Sequence, residues 1–106
     1  MATSTDHTKA IELNPKYAHA YNGRAWTYFK AGKAARGLPD AERALELAAD
    51  DPEYLSTWGH IFETLGKREE AIVDFRRSIS RVAKEAVDRE AQQRSREGLK
   101  RLGASP

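Results

Sequence analysis

The side chains best equipped for chemistry in this chain of 106 residues are three histidines, His7, His19 and His60, a scatter of serines, and a basic run near the C-terminus. Nucleophilic catalysis needs a nucleophile, a base within hydrogen-bond reach and a group that orients the base. No spacing joins these residues in that way, and the chain has no cysteine to act as nucleophile or metal ligand. His19 and His60 fall at non-equivalent places on their helices and would not align as a metal pair. The bland reading, in which the histidines are exposed or line a groove, is preferred. Each glycine stands where a turn or a tight helix crossing needs it, so no phosphate-cradling loop remains. The expectation is a non-enzymatic protein with no catalytic residue, no metal site and no cofactor.

Residues 81–102 hold seven Lys or Arg against four Asp or Glu, in a chain whose net charge is only +2. Arg81, Lys84, Arg89, Arg94, Arg96, Lys100 and Arg101 would be the side chains to neutralise phosphates. Glu85, Asp88, Glu90 and Glu97 interleave with them, and the pairs Glu85–Arg89 and Glu90–Arg94 suit a solvated helix better than a nucleic-acid surface. With 40% apolar and 32% charged residues, the chain has the balance of one small helical domain. No run approaches the roughly 18 apolar residues of a membrane span, and Met1 to Lys9 lacks the apolar region of a signal peptide. A soluble protein is expected, cytoplasmic by default, with no membrane partner.

What must position any functional side chain is a repeat. Residues 18–51 and 52–85 are two copies of one pattern about 34 residues long. Tyr28 superimposes on Phe62, Gly32 on Gly66, Ala25 on Gly59, Leu38 on Ile72 and Leu13 on Leu47, so apolar stays apolar and small stays small. Such a period marks a helix-turn-helix unit that must stack on neighbours to bury its apolar face. The second copy reads Leu55-x2-Trp58-Gly59-x2-Phe62, then Ala71-x3-Phe75; the first reads Tyr21-x2-Arg24-Ala25-x2-Tyr28, then Gly37-x3-Ala41.

These residues resemble the tetratricopeptide repeat, closely in the second copy and loosely in the first, over roughly residues 6–81. The fold implied is all-α, a right-handed stack of antiparallel helical hairpins with a long C-terminal helix. Residues 1–17 form a partial repeat, a second helix with its linker; 18–51 and 52–85 form the two repeats; 82–103 form a capping or extended helix. The half-repeat at the start leads to the expectation of a C-terminal fragment of a longer array, the alternative being a natural protein that begins with a capping helix.

Helix signals refine this outline. Gly32 and Gly66 suit left-handed C-caps, and Asp51 followed by Pro52 suits an N-cap and first turn. Gly37 and Pro39 disfavour a helix interior, so the second helix of the first repeat is expected to begin late, near Leu38, or to kink there. From Arg68 to Leu102 there is no proline and only Gly98, so one continuous helix of about 50 Å is conceivable. Its stripe, Ile79, Ala83, Ala86, Val87, Ala91, Ser95, Gly98, Leu99 and Leu102, either folds back on the array or projects towards a second chain.

In this family the binding surface is the concave face, lined by first helices. The helix faces beside the packing positions carry His19, Asn22, Trp26, Phe29 and Lys30 in the first repeat, and Glu53, Ser56, Thr57, His60 and Glu63 in the second. Trp26 and Phe29 share a face at i, i+3 and form a candidate anchor site, rimmed by Asn22 and Lys30. The competing reading packs Trp26 against the C-terminal helix or the first helix. A subgroup of the family, the carboxylate-clamp cochaperones, binds the acidic C-terminal tails of heat-shock chaperones. Here Asn22 and Trp26 stand where that clamp needs lysine and asparagine, and Thr57 where it needs a second asparagine, so the clamp is missing. The function implied is binding of a protein or peptide partner on the concave face. The alternative is self-association, as a homodimer or swapped assembly, through the exposed repeat ends and C-terminal helix.

Overall fold

The computed structural model describes residues 4–106 and is all-α among them, with six helices. Met1 to Thr3, with which the expected partial repeat and the signal-peptide reading begin, lie outside the described residues. After Ala49 the chain divides into two compact units.

The first unit holds α1 (Ser4–Leu13), α2 (Ala18–Lys30) and α3 (Ala34–Leu47), with α2 packed on both neighbours. Gly32 ends α2 at φ 77°, and the Lys33 amide donates to the Tyr28 carbonyl at 2.8 Å while the Gly32 amide donates to Phe29 at 3.1 Å. This double closure satisfies two carbonyls that the helix end would otherwise orphan. α3 does not begin late. It starts at Ala34 and runs unbroken through Gly37 and Pro39. Ala34, Gly37, Ala41 and Ala44 are buried, a small-residue stripe at spacings of three and four, while Pro39 is exposed. Burying that stripe outweighs a propensity cost of about 1 kcal/mol for glycine. The carbonyl that Pro39 deprives of a donor belongs to Ala35, an exposed residue, so water can satisfy it.

The second unit holds α4 (Pro52–Thr64), α5 (Arg68–Ser80) and α6 (Ala86–Arg101), each packed on the other two. The Asp51 carboxylate accepts from the amides of Glu53 and Tyr54 at 2.9 and 3.2 Å, capping α4. Gly66 and Gly103 repeat the left-handed closure of Gly32, with Lys67 donating to Phe62 and Ala104 to Leu99. The core centres on Phe75, fully buried, with Ala71, Ile72 and Leu99. Its ring is gripped by two glycines: a Cβ on Gly59 would lie 2.6 Å from it, and one on Gly98 would also overlap it.

The continuous helix from Arg68 to Leu102 does not form. α5 stops at Ser80, an extended segment follows, and α6 starts at Ala86 and folds back. No proline or glycine makes this stop; side chains do. Gln92 Nε2 donates to the carbonyls of Ser78 and Arg81 at 2.9 and 2.6 Å, closing the end of α5. Asp88 Oδ2 accepts from the amides of Lys84 and Glu85 at 2.9 and 3.1 Å, opening α6. Ser95 donates to the Ser78 hydroxyl, which donates to the Pro52 carbonyl, tying the three helices together. A straight helix would carry Gly98 and Leu99 away from Phe75, and covering that ring supplies the driving force.

Candidate functional site

The ten side chains expected to line a binding face separate by burial. On α2, His19 and Lys30 are exposed, and Trp26 and Phe29 are half-buried with ring centroids 5.0 Å apart. Tilted at 35°, the two rings form one apolar plate on α2, with Lys30 the next residue along the chain after Phe29. Asn22, expected on the rim, is instead buried, and its Oδ1 has no partner among the described residues.

Of the five expected on α4, Glu53 and Glu63 keep partial exposure. Ser56, Thr57 and His60 are buried, so their side chains meet the protein interior as the helix stands. Thr57 Oγ1 donates to the Glu53 carbonyl at 3.1 Å. His60 Nδ1 lies 2.7 Å from the Ser56 carbonyl; because a carbonyl only accepts, this nitrogen carries the proton. The His60 ring meets Phe75 edge-on at 4.9 Å, and burial holds its pKa below the usual imidazole value. Glu63 is engaged by Arg101, whose Nε and Nη2 donate at 3.0 and 2.8 Å and fasten α6 to α4. His7, read as exposed or groove-lining, is partly buried on α1: its ring fills the space over Gly23, where a Cβ would come within 2.5 Å.

A pairing that the sequence pattern concealed lies inside the first hairpin. Arg24 donates from Nε and Nη2 to the two oxygens of Asp40, both at 2.7 Å, and from Nη1 to Thr8 Oγ1 at 3.1 Å. Such a fork is the strongest geometry available to a carboxylate. One period later, Asp40 corresponds to Asp74 but Arg24 corresponds to Trp58. Asp74 is 5% exposed, its Oδ2 has no hydrogen-bond partner among the described residues, and Arg77 reaches its Oδ1 only to 3.9 Å. Burial pushes its pKa up to about 7, against the pull of Arg77. Beside it lies an open cavity of about 300 Å³ lined by Trp58, Phe62, Glu69, Glu70, Val73 and Asp74. None of these residues belongs to the ten expected from the sequence. The signal was present: an aspartate at the same place in both copies, with a cation opposite it in only one.

Models of the tetratricopeptide repeat match residues 8–38 and 53–81. Among curated proteins, Hsp70-Hsp90 organizing protein 2 of Arabidopsis thaliana is 47% identical over 49 residues, 46% of this chain and 8% of that protein. Hsp70-Hsp90 organizing protein 1 of Glycine max is 48% identical over 48 residues, 45% of this chain and 8% of its own length. DnaJ homolog subfamily C member 3 of Bos taurus is 31% identical over 83 residues, 78% of this chain and 16% of that protein. The chain therefore spans less than a fifth of these relatives. No helix among the described residues is long and apolar enough to cross a membrane.

Proposed function

Because this chain belongs to the tetratricopeptide repeat family, we propose that it binds a peptide or helix of a partner protein through the exposed face of its first helices, the concave face in stacks of this family. The observation that carries this reading is the Trp26–Phe29 plate on α2, half-exposed and i, i+3 on one helix face. An aromatic plate flanked by a lysine suits an apolar anchor residue next to a carboxylate or a helix C-terminus on the ligand. His19 and Lys30 supply the polar rim on α2; on α4, Glu53 is the candidate that stays reachable. The buried Asn22, Ser56, Thr57 and His60, and the paired Glu63, set the shape and rigidity of the helices that present this face.

The organizing proteins are named for bringing Hsp70 and Hsp90 together, and a chaperone partner is one member of the class proposed. The clamp residues that would take an acidic chaperone tail are absent at Asn22, Trp26 and Thr57, which favours apolar anchoring over carboxylate clamping. Affinity for a peptide selected on the wild-type chain, measured again with Trp26→Ala, tests the reading. The expected loss is tenfold or more, about 1.4 kcal/mol or above. Unchanged affinity overturns it.

Self-association is the second reading, supported by Leu13 and Val82, which lie 80% and 78% exposed. The middle of the C-terminal stripe no longer supports it, because Ala91, Ser95, Gly98 and Leu99 are buried within their own unit. Sedimentation that shows a monomer at every concentration would remove it.

A further inference from the structure

We propose that the cavity between α4 and α5 is a receptor site for an arginine side chain of a partner polypeptide, with Asp74 as the carboxylate that receives its guanidinium and Trp58 and Phe62 as the aromatic walls. This site shares no residue with the α2 face, so either can fail without the other.

The first repeat shows how the same place is filled when the chain supplies its own cation. Arg24 reaches across the hairpin from α2 and forks onto both oxygens of Asp40 on α3. Its neighbours one period away are Trp58, in place of Arg24, and Asp74, in place of Asp40. The substitution removes the guanidinium and keeps the acceptor. A buried carboxylate oxygen without a donor is costly, and native structures retain few of them. Here Asp74 Oδ2 is such an orphan, on a residue 5% exposed.

The surroundings have also changed sign. Where the first repeat has Ala35 and Arg36, the second has Glu69 and Glu70, both lining the cavity. Glu69 is met by Arg68 at 3.2 Å, an exposed pair. The walls next to Asp74 are Trp58 and Phe62, edge-on at 4.8 Å, with Val73 half-exposed. An aromatic wall beside a carboxylate fits a guanidinium better than an ammonium. The planar group stacks on the ring, forks onto the carboxylate and is weakly hydrated, while ammonium is a compact, strongly hydrated point charge. Arg77, the nearest cation on α5, stays 3.9 Å away and leaves Oδ2 unmet.

The probe is the tripeptide acetyl-Gly-Arg-Gly-amide, titrated into the full chain and followed by amide and indole NMR shifts. Controls are the same peptide with citrulline, which keeps the shape and loses the charge, and with lysine. Saturable shifts at Trp58, Val73 and Asp74 are expected. Affinity should fall about tenfold for the citrulline peptide and for Asp74→Asn with the arginine peptide. The lysine peptide should bind more weakly than the arginine peptide. Trp58→Arg rebuilds the internal pair of the first repeat, and it should abolish binding while pulling the Asp74 pKa below the ordinary carboxylate range. Absence of shifts at these residues, equal affinity for arginine and citrulline peptides, or unchanged affinity in Asp74→Asn would each overturn the proposal. Should Trp58→Arg fail to fold, the Asp74→Asn and citrulline arms still decide the matter.

Discussion

The two repeats solve the same packing problem with different materials. In the first unit every buried apolar side chain among the described residues is an alanine, Ala20, Ala25, Ala34, Ala41 and Ala44, and the hairpin is crossed by the Arg24–Asp40 fork. In the second unit the buried set is Tyr54, Leu55, Ile61, Ile72, Phe75 and Leu99 with Ala71 and Ala91, and the aspartate equivalent to Asp40 is left without its cation. Phe75 stands where the first repeat has only Ala41. Small residues let the first hairpin close tightly without large side chains, and a charged fork supplies the specificity that a ring supplies in the second. The fork uses up the acceptor internally. The second unit offers it no such donor, and that difference leaves one hairpin with an internally paired aspartate and the other with a buried, orphaned one.

The largest effect that would sharpen this contrast is Phe75→Ala. It should destabilise the second unit by about 3–5 kcal/mol, because the fully buried ring fills the space between Gly59 and Gly98. Amide hydrogen exchange would locate the loss in residues 50–106; loss spread evenly over both units would break the comparison. Next in size is Arg24→Met, which keeps most of the side-chain volume and strands Asp40. A cost on the order of 2 kcal/mol, falling on the first unit, is expected from denaturant melts. A neutral result would mean that the fork adds nothing to alanine packing.

The smallest readout is a slope of stability against pH. A carboxyl with a folded pKa near 7 and an unfolded value near 3.8 holds its proton in the folded state while the unfolded chain ionises. Wild type therefore loses stability relative to Asp74→Asn as pH rises from about 3.8 to about 7, and the difference is flat above that. The comparison must be made as a difference, because His60 and His7 act in the opposite direction. Both have lowered values, so their contribution is present above 6.5 and is lost as pH falls. A variant curve parallel to wild type would show that Asp74 is already satisfied.

Much of the fold was legible from local chemistry. The left-handed glycines at 32 and 66, the Asp51–Pro52 start and the helical hairpins follow from backbone sterics and capping, which act over a few residues. The late start of α3 and the continuous helix after Ser80 gave way where tertiary packing outranked local signals. Gly37 and Pro39 argued against a helix that burial of the alanine stripe enforces. The lack of a breaker after Ser80 argued for a helix that Gln92 and Asp88 terminate from a distance in sequence. Of the candidate site, the i, i+3 relation of Trp26 and Phe29 was readable because helix periodicity alone puts them together. The burial of Asn22, Ser56, Thr57 and His60 was not, since rotation of a helix by one position changes which neighbour each side chain meets.

The sequence by itself determined the period, the helical hairpin and the family, because these rest on patterns that recur at short or fixed spacing. Only the tertiary structure decided where the chain turns back after α5, which polar side chains on the first helices remain reachable, and which aspartate has its arginine. Those outcomes depend on groups such as Gln92 and the Arg81 carbonyl, 11 residues apart, or Arg24 and Asp40, 16 apart, meeting in space. There, small differences in volume and desolvation choose between arrangements that local propensity treats as equal.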